Sequence, residues 1–376
     1  MIHVHAPTEK KKDFNAALNG YRGLCAVLVF VFHVGSAGII LWPSGSPGAD
    51  LLGALWHSLT YGVEMFFMIS GFVILGSLLR HRSIAAFLQD RVSRIFSAWV
   101  PALCAVTAMC VLWQIPPLED RSAGSAAALF LGNLFLLPPI VRFPMIHQVS
   151  WSLSYEWVFY ITAAVGLLLY RRSQPRYALM AVWFTLGALF IMLFPRALFF
   201  LTGIIVFYYR DWFAQRMQWL KFPVLSLFVF LLAWAATGAF LAHLNDTIFD
   251  FILDGRIVAL LLAFVASLHL FASVTLNASR QTQFLCGSVF QFLGNISYSF
   301  YLWHTLVMAL FKRIVQAYVV PEVGSGVGLA VFAISSLLVA LPVSWISWRL
   351  FEVRFAAAMR DWFRRRAELG GPVRAT

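Results

Sequence analysis

Long apolar runs dominate this sequence and leave few folds open to it. A helix needs about 20 consecutive, mainly apolar residues to cross the hydrocarbon of a bilayer. Ten runs approach or reach that length, near residues 22–42, 58–79, 95–114, 151–170, 177–194, 196–209, 222–243, 251–273, 284–311 and 326–350. The loops between them are too short for a domain outside the membrane. The runs therefore predict an all-α polytopic membrane protein with about ten transmembrane helices.

Composition excludes the other broad classes of protein. Only 12% of the 376 residues are charged and 61% are hydrophobic, whereas soluble domains carry about 25% charged residues. A soluble enzyme, a disordered chain and a coiled coil are excluded, because too little charge remains to cover a surface in water. No metal site is expected, because the cysteines form no C-x-x-C pair and lie in or beside apolar runs as small apolar residues: Cys25, Cys104, Cys110 and Cys286.

The distribution of basic residues predicts the orientation in the membrane. Cytoplasmic loops collect Lys and Arg, and three lysines, 10–12, precede the first run. The run 123–140 is short and contains Asn133. If it dips into the membrane and returns, six of the 28 basic residues lie outside and 22 lie in the cytoplasm; if it crosses, the split is 13 against 15. We therefore expect both termini in the cytoplasm and a re-entrant segment near 123–140.

The formal net charge of +12 is explained mainly by this topology. Basic residues are spread over several short cytoplasmic loops and are not gathered in one groove, so no nucleic-acid partner is expected. The chain divides into a cytoplasmic N-terminal segment (1–20), a transmembrane domain (21–352) and a basic cytoplasmic tail (353–376). The tail is either an amphipathic helix on the anionic inner leaflet or a solvated flank.

Ionisable residues inside the apolar runs are the candidates for a functional site, because each costs about 2.5–3.5 kcal/mol at a helix centre. Arg22 and His33 share the first run, and their spacing of eleven residues is about 20° from three whole turns and about 16.5 Å along the axis. Both side chains therefore share one helix face, with Arg22 at the cytoplasmic rim and His33 near the middle of the run. Taken singly, Arg22 is also explained as an interface anchor and His33 as a hydrogen-bonded core histidine.

The next candidates lie around the second and third runs. Glu64 either orients His33, binds a sugar hydroxyl or forms a structural pair with another buried polar group. Arg91 and Arg94 are spaced i and i+3, so they share a helix face. Two neighbouring guanidinium groups are well suited to bind phosphates, although simple positive-inside charge also explains them.

Two later segments are unusually polar for membrane spans. Ser152 and Glu156, spaced i and i+4, share a face at the outer end of the run 151–170, where a carboxylate can bind a hydroxylated acceptor or form a structural pair. The stretch 293–304 includes Tyr298 and His304 among several other polar residues. Such a stretch indicates a lined cavity, and helix packing through serine hydrogen bonds is the alternative.

In this order the motifs resemble the membrane-bound acyltransferase family 3, the integral-membrane O-acyltransferases of cell-surface and exported glycans. The resemblance covers roughly residues 18–355 and rests on R-x10-H from Arg22, FF-x-x-SG from Phe66, R-x-x-R from Arg91, WSL-x-x-E from Trp151, SYS-x-YLWH from Ser297, and Glu352. Two positions depart from the family pattern. Glu64 stands where an aspartate is usual, and Ser97 replaces a common proline.

The resemblance implies that His33 is the catalytic histidine, with Arg22 as its motif partner and Glu64 beside them. Arg91 and Arg94 are expected to bind the acyl-CoA donor, most commonly acetyl-CoA in the family, as a co-substrate on the cytoplasmic side. No cofactor is expected to stay bound. The candidates for binding a glycan or lipid-linked sugar acceptor are Ser152, Glu156, Tyr298 and His304.

Two mechanisms and one other function stay open. His33 either deprotonates the acceptor hydroxyl or carries the acyl group itself. The location expected from the resemblance is the inner (cytoplasmic) membrane, with lipids as further partners, while the acceptor, the acyl group and the oligomeric state are left open. The alternative function is a transporter or flippase that makes no bond, although the sequence shows no inverted repeats or paired broken helices, which such a fold favours.

Overall fold

The chain folds into helices joined by short turns. The structure is a computed structural model that describes residues 15–40, 47–81, 83–171, 177–237 and 246–369. Within these ranges it contains no strands, and the α-helices are α1 (Ala16–Gly35), α2 (Pro47–Ser58), α3 (Gly62–Arg80), α4 (Ile84–Trp113), α5 (Ala123–Leu134), α6 (Trp151–Tyr170), α7 (Tyr177–Leu193), α8 (Leu198–Tyr208), α9 (Arg210–Ala214), α10 (Pro223–Ala236), α11 (Ile248–Leu253), α12 (Ile257–Thr275), α13 (Ser288–Ile314), α14 (Val320–Ser347) and α15 (Ala356–Leu369). The all-α prediction is confirmed.

Helix lengths make the predicted number of spans approximate. In the described parts of the chain, six helical stretches are long and apolar enough to cross a membrane, or seven if α7 and α8 together form one bent span. Each of the ten predicted runs overlaps a helix in its described part, but α10 has only 14 residues and α7 and α8 are bent by 119°. In addition, α13 and α14 lie in one helical stretch of 79 residues. The chain is thus a multi-pass membrane protein, and ten is an approximate count.

The segment predicted to be re-entrant contains one short helix. At 12 residues, α5 rises about 18 Å, which falls short of the hydrocarbon thickness of about 30 Å. The buried Asn133 at its end donates hydrogen bonds from Nδ2 to Leu129 O at 2.9 Å and Pro144 O at 3.0 Å, and its Oδ1 accepts from Ile146 N at 3.0 Å. This side chain therefore ties the returning loop to α5, which fits a segment that enters and turns back.

The first helix lies closer to the N-terminus than the apolar run 22–42 predicts. The side chain of Asn15 accepts the N–H of Leu18 at 3.0 Å and caps the start of α1, and capping residues of this kind set helix starts. The helix ends at Gly35, so His33 lies in its last turn. The prediction that His33 lies near the middle of the span is therefore wrong, because apolar character continues beyond Gly35 where the helix does not.

Glycines allow two helix crossings that bring the motifs together. At the crossing of α1 and α13, a Cβ on Gly23 would lie 2.9 Å from the backbone N of Gly294. At the crossing of α3 and α8, a Cβ on Gly71 or on Gly203 would collide with the main chain of the partner helix. Small residues let membrane helices approach this closely. The first crossing aligns the R-x10-H motif on α1 with the SYS-x-YLWH motif on α13.

The basic tail forms a helix over most of its described part. α15 packs against α4, while Arg364, Arg365 and Arg366 are exposed. An exposed basic face next to membrane helices suits either of the two expected settings, and contact with anionic lipid stays a prediction. Residues 1–14 and 370–376 lie outside the described residues.

Candidate active site

A cavity lies between α1, α3, α4, α6 and α13. It has about 650 Å³ of empty space, including the part open to solvent. Its chemistry comes from polar and ionisable side chains of all five helices, namely Arg22, Ser70, Arg94, Ser152, Glu156, Tyr160, Ser297, Tyr298 and Tyr301. Five of the nine predicted site residues, Arg22, Arg94, Ser152, Glu156 and Tyr298, are therefore brought together in one space.

The two guanidinium groups in the cavity are free to bind a ligand. The guanidinium groups of Arg22 and Arg94 make no hydrogen bond and no ion pair with another residue in the described part of the chain. Glu156 and Glu352 are near enough to attract both groups electrostatically, but each carboxylate is already hydrogen-bonded elsewhere. Glu352 accepts hydrogen bonds from Ser299, from N at 3.0 Å and from Oγ at 2.6 Å. Unpartnered guanidinium groups are the preferred partners of phosphate and carboxylate oxygens.

Most of the other polar groups of the cavity are held in place by the protein. Ser70 Oγ donates to Glu156 Oε1 at 2.6 Å, and the hydroxyl of Tyr160 donates to the same oxygen. The hydroxyl of Tyr298 donates to the carbonyl of Ile95 at 2.9 Å. Ser152 Oγ lies 2.9 Å from the hydroxyl of Tyr301. The cavity wall is therefore rigidly hydrogen-bonded, and the arginines are its uncommitted groups.

His33 and His304 form a pair beyond one end of the cavity. Tyr301 lines the cavity, and its ring centroid lies 6.1 Å from that of His304, one helical turn further along α13. His304 Nε2 lies 3.3 Å from His33 Nδ1, although the two residues are 271 positions apart in the chain. His304 is 1% exposed, whereas His33 is half-buried. Among the described residues, Nε2 of His33 has no hydrogen-bond partner.

Arg91 does not share the cavity with Arg94. It is buried, forms an ion pair with Asp90 and donates from Nη2 to Ser77 Oγ at 3.4 Å. Its guanidinium also lies over the rings of Phe87 and Tyr160, at 5.7 and 5.8 Å from their centroids. The R-x-x-R motif thus presents one free and one engaged guanidinium group, and the role of Arg91 in donor binding stays a prediction.

Glu64 pairs with Arg196 and has no contact with His33. Nε of Arg196 donates to Oε1 of the fully buried Glu64. The guanidinium lies over the ring of Trp151, 4.2 Å from its centroid, and 5.4 Å from that of Tyr61. Of the roles expected for Glu64, the structure therefore places it in a pair with another buried polar group.

Breaking this pair is expected to destabilise the protein. Glu64→Ala would leave Arg196, whose side chain is only 21% exposed, without a counter-charge, and removing one partner of a buried pair costs about 3–5 kcal/mol. The measurement is the thermal unfolding midpoint in detergent. The matched control is Asp254→Ala, because Asp254 pairs with Arg256 at a side-chain exposure of 57% and exposed pairs contribute about 1 kcal/mol or less. Equal shifts in the two variants would contradict the expectation.

Two residues near the site were missed by sequence reasoning. Arg196 is one of the six basic residues that the charge distribution places outside, although a lone charge beside Pro195 between two apolar runs is a usable signal for a bent span. His147 lies in the loop before α6, where its Nε2 donates to the carbonyl of Leu302 at 2.8 Å and its ring stacks on Trp99. No periodicity marks a loop histidine, so the sequence carried no signal for it.

Comparison with known proteins identifies a matching family. Residues 15–349 match the family model of acyltransferase family 3, described as an acyltransferase domain. The chain is 28% identical over 297 residues to the "Exopolysaccharide production protein ExoZ" of Rhizobium meliloti (strain 1021), covering 71% of this chain and 80% of that protein. It is 25% identical over 195 residues to the "Putative membrane-bound transacylase BcsY" of Komagataeibacter xylinus, covering 48% and 44% of the two chains. No solved structure matches the chain.

The family match and the fold agree with each other. The matched residues extend from the cap of α1 to just beyond α14, so they include every helix that lines the cavity and both histidines of the pair. The helices are those of a multi-pass membrane protein. This chain therefore belongs to acyltransferase family 3 and is a membrane acyltransferase.

Proposed function

We propose that the protein transfers an acyl group, expected to be acetyl, from cytoplasmic acyl-CoA to a hydroxyl group of a glycan or lipid-linked sugar in the inner (cytoplasmic) membrane. The observation that carries the proposal is the arrangement on α1. Arg22 lines the cavity together with the free guanidinium group of Arg94. His33 lies beyond one end of this cavity and has one ring nitrogen, Nε2, without a partner among the described residues. The names of the two relatives support this: one is named for exopolysaccharide production, which fits a polysaccharide acceptor, and the other for transacylation, which fits acyl transfer.

The donor is proposed to bind through its phosphates. Arg22 and Arg94 have no internal partners, so they can form charge-assisted hydrogen bonds with phosphate oxygens without breaking contacts of the folded protein. With the N-terminus in the cytoplasm, both residues lie in the cytoplasmic half of the membrane, where acyl-CoA is available. Arg91 lies outside the cavity and is buried, so we propose a part in donor binding for it only through its charge beside Arg94.

His33 is proposed to accept and deliver the proton of the acceptor hydroxyl during acyl transfer. In direct transfer, the acceptor oxygen bonds to the thioester carbonyl carbon, the C–S bond breaks, and Nε2 takes the hydroxyl proton and passes it to the departing thiolate. In the two-step route, Nε2 itself bonds to the carbonyl carbon, the C–S bond breaks and CoA leaves as the thiolate, so that the acyl-imidazole is cationic. The acceptor oxygen then attacks the acyl carbon, the N–C bond breaks, and the hydroxyl proton taken by Nε2 is passed on to the thiolate or to water. Histidine suits both routes because its pKa lies near neutrality.

The acceptor is proposed to contact the polar wall formed by α6 and α13. Ser152, Glu156 and Tyr298 line the same cavity as the arginines, and a carboxylate beside hydroxyl groups is a suitable partner for sugar hydroxyls. Membrane lipids surround the fold, and we expect no permanently bound cofactor.

The test combines purified protein, labelled acetyl-CoA and envelope and exported glycans from a strain that lacks the gene. The expected result is multiple-turnover release of free CoA thiol only when glycan is present, with label appearing in the glycan. Movement of glycan across vesicles without thiol release would favour the transporter alternative. Thiol release that continues beyond one equivalent per protein without glycan would contradict a glycan acceptor.

A further inference from the structure

We propose that His304 is a positioning residue for His33: its Nε2 accepts the Nδ1–H of His33 together with Val29 O, and so holds the ring with its other nitrogen, the unprotonated Nε2, directed to the reaction. This inference rests on the proposed function and assigns the histidine pair a division of labour within it. His304 was expected among the acceptor-binding residues, but it does not line the cavity.

Both tautomers follow from main-chain contacts. His33 Nδ1 lies 2.8 Å from Val29 O, and His304 Nδ1 lies 2.9 Å from Phe300 O. A carbonyl oxygen only accepts hydrogen bonds, so each Nδ1 carries a proton. The neutral His304 ring then has one lone pair, on Nε2, which lies 3.3 Å from His33 Nδ1. The Nδ1–H of His33 is therefore shared between Val29 O and His304 Nε2.

The contacts also decide which histidine reacts. The lone pair of His304 is used by His33, and the ring is 1% exposed and stacked on Phe300 with 5.7 Å between centroids. The lone pair of His33 on Nε2 has no partner in the described part of the chain, and its ring is half-buried. When this Nε2 takes a proton or an acyl group, the ring becomes cationic and its Nδ1–H becomes a stronger donor to His304. A base held by a third group is a common arrangement in nucleophilic and acid–base catalysis.

The group that orients His33 is a neutral imidazole, whereas many catalytic histidines are oriented by a carboxylate. Neither histidine forms an ion pair with a carboxylate among the described residues. His147 is the other titratable group electrostatically coupled to both rings, and its Nε2–H is committed to Leu302 O at 2.8 Å. The surroundings are apolar, with Phe30 and Phe300 against the pair. A neutral acceptor avoids the cost of burying a charge there.

Two amide substitutions separate positioning from packing. In His304→Gln the amide oxygen reaches the place of Nε2 and can accept from His33. In His304→Asn the amide nitrogen takes the place of Nδ1 and can donate to Phe300 O, but nothing reaches His33. We expect His304→Asn and His304→Ala to lose about 10²-fold in kcat, a share of the 10²–10⁴ that a general base contributes. His304→Gln should recover at least about tenfold of this loss, and the KM for acetyl-CoA should stay within about twofold in all three.

The wild-type thiol-release assay tests the proposed function by itself, and the His304 variants test positioning only if the wild type is active. Given an active wild type, His304→Gln above His304→Asn supports positioning. His304→Asn equal to or above His304→Gln, or full activity in His304→Ala, overturns it. His269→Ala is the matched control: His269 also bridges a hydroxyl and a carbonyl, Ser226 Oγ at 2.6 Å and Trp219 O at 2.7 Å, away from the site. Its kcat should be unchanged; an equal loss there would show a general effect of removing a packed histidine and overturn the proposal.

Discussion

His33→Ala is expected to abolish measurable acyl transfer, with a loss of at least about 10²–10⁴-fold if the histidine is a general base and a complete loss if it carries the acyl group. The reason is that Nε2 of His33 is an unpartnered nitrogen on the α1 face that also presents Arg22. His304 is not expected to replace it, because its ring is 1% exposed and stacked on Phe300, outside the cavity. The protein should still fold, since the half-buried His33 lies in the last turn of α1 and its removal leaves no buried charge without a partner.

The measurement is label transfer from acetyl-CoA to glycan by purified wild-type and His33→Ala protein, with the thermal unfolding midpoint recorded for both. Normal acylation by a folded His33→Ala variant would refute the role of His33. The same preparation separates the two routes. Wild-type protein incubated with labelled acetyl-CoA and no acceptor should carry label after denaturation if an acyl-histidine forms, and His33→Ala should carry none. Absence of label on the wild type favours direct transfer.

The helices were predictable from the sequence because a bilayer requires long apolar runs and leaves few alternatives to helix. Their ends were less predictable. The run 22–42 is mainly apolar, but α1 starts after the cap Asn15 and stops at Gly35, because caps, which hydropathy does not record, set helix ends. The bend between α7 and α8 lies at Pro195, which apolar length alone does not record either.

The site residues show a similar contrast, between what is set within one helix and what is set by contacts between helices. Spacing within one helix was a partial guide. Ser152 and Glu156 share the cavity, as their i, i+4 spacing predicts, whereas Arg91 and Arg94, spaced i and i+3, do not. Contacts between helices were not predictable from a single sequence. The partner of Glu64 is Arg196, 132 residues away, and the partner of His33 is His304, 271 residues away. Periodicity defines the face that a side chain occupies, whereas the helix opposite that face depends on the packing of the whole bundle.

Arg94→Ala and Arg22→Ala are expected to raise the KM for acetyl-CoA by about 10- to 100-fold each, because a hydrogen bond to a charged group contributes about 1.5–3 kcal/mol and 1.4 kcal/mol is tenfold. The loss should fall mainly on KM, since a phosphate grip is equally strong before and during the reaction. Stability should change little, because neither guanidinium has a partner in the described part of the chain that would be left unpaired. Arginine-to-lysine variants should lie between, because lysine keeps the charge and loses the bidentate geometry.

The matched control is Arg80→Ala. Arg80 is exposed at the end of α3, on the same predicted cytoplasmic side, and it does not line the cavity. Its removal therefore takes away one positive charge, as Arg94→Ala does, without removing a group of the cavity. Steady-state kinetics at two salt concentrations then distinguish direct contact with the donor phosphates from long-range attraction by surface charge, because exposed charges are screened at high salt. We expect the KM of Arg80→Ala to stay within about twofold of wild type. Equal rises in Arg80→Ala and Arg94→Ala, or a fall in kcat at constant KM for Arg94→Ala, would refute donor binding by the cavity arginines. A rise confined to Arg22 and Arg94 would mark the cavity as the place where the phosphates of the donor bind.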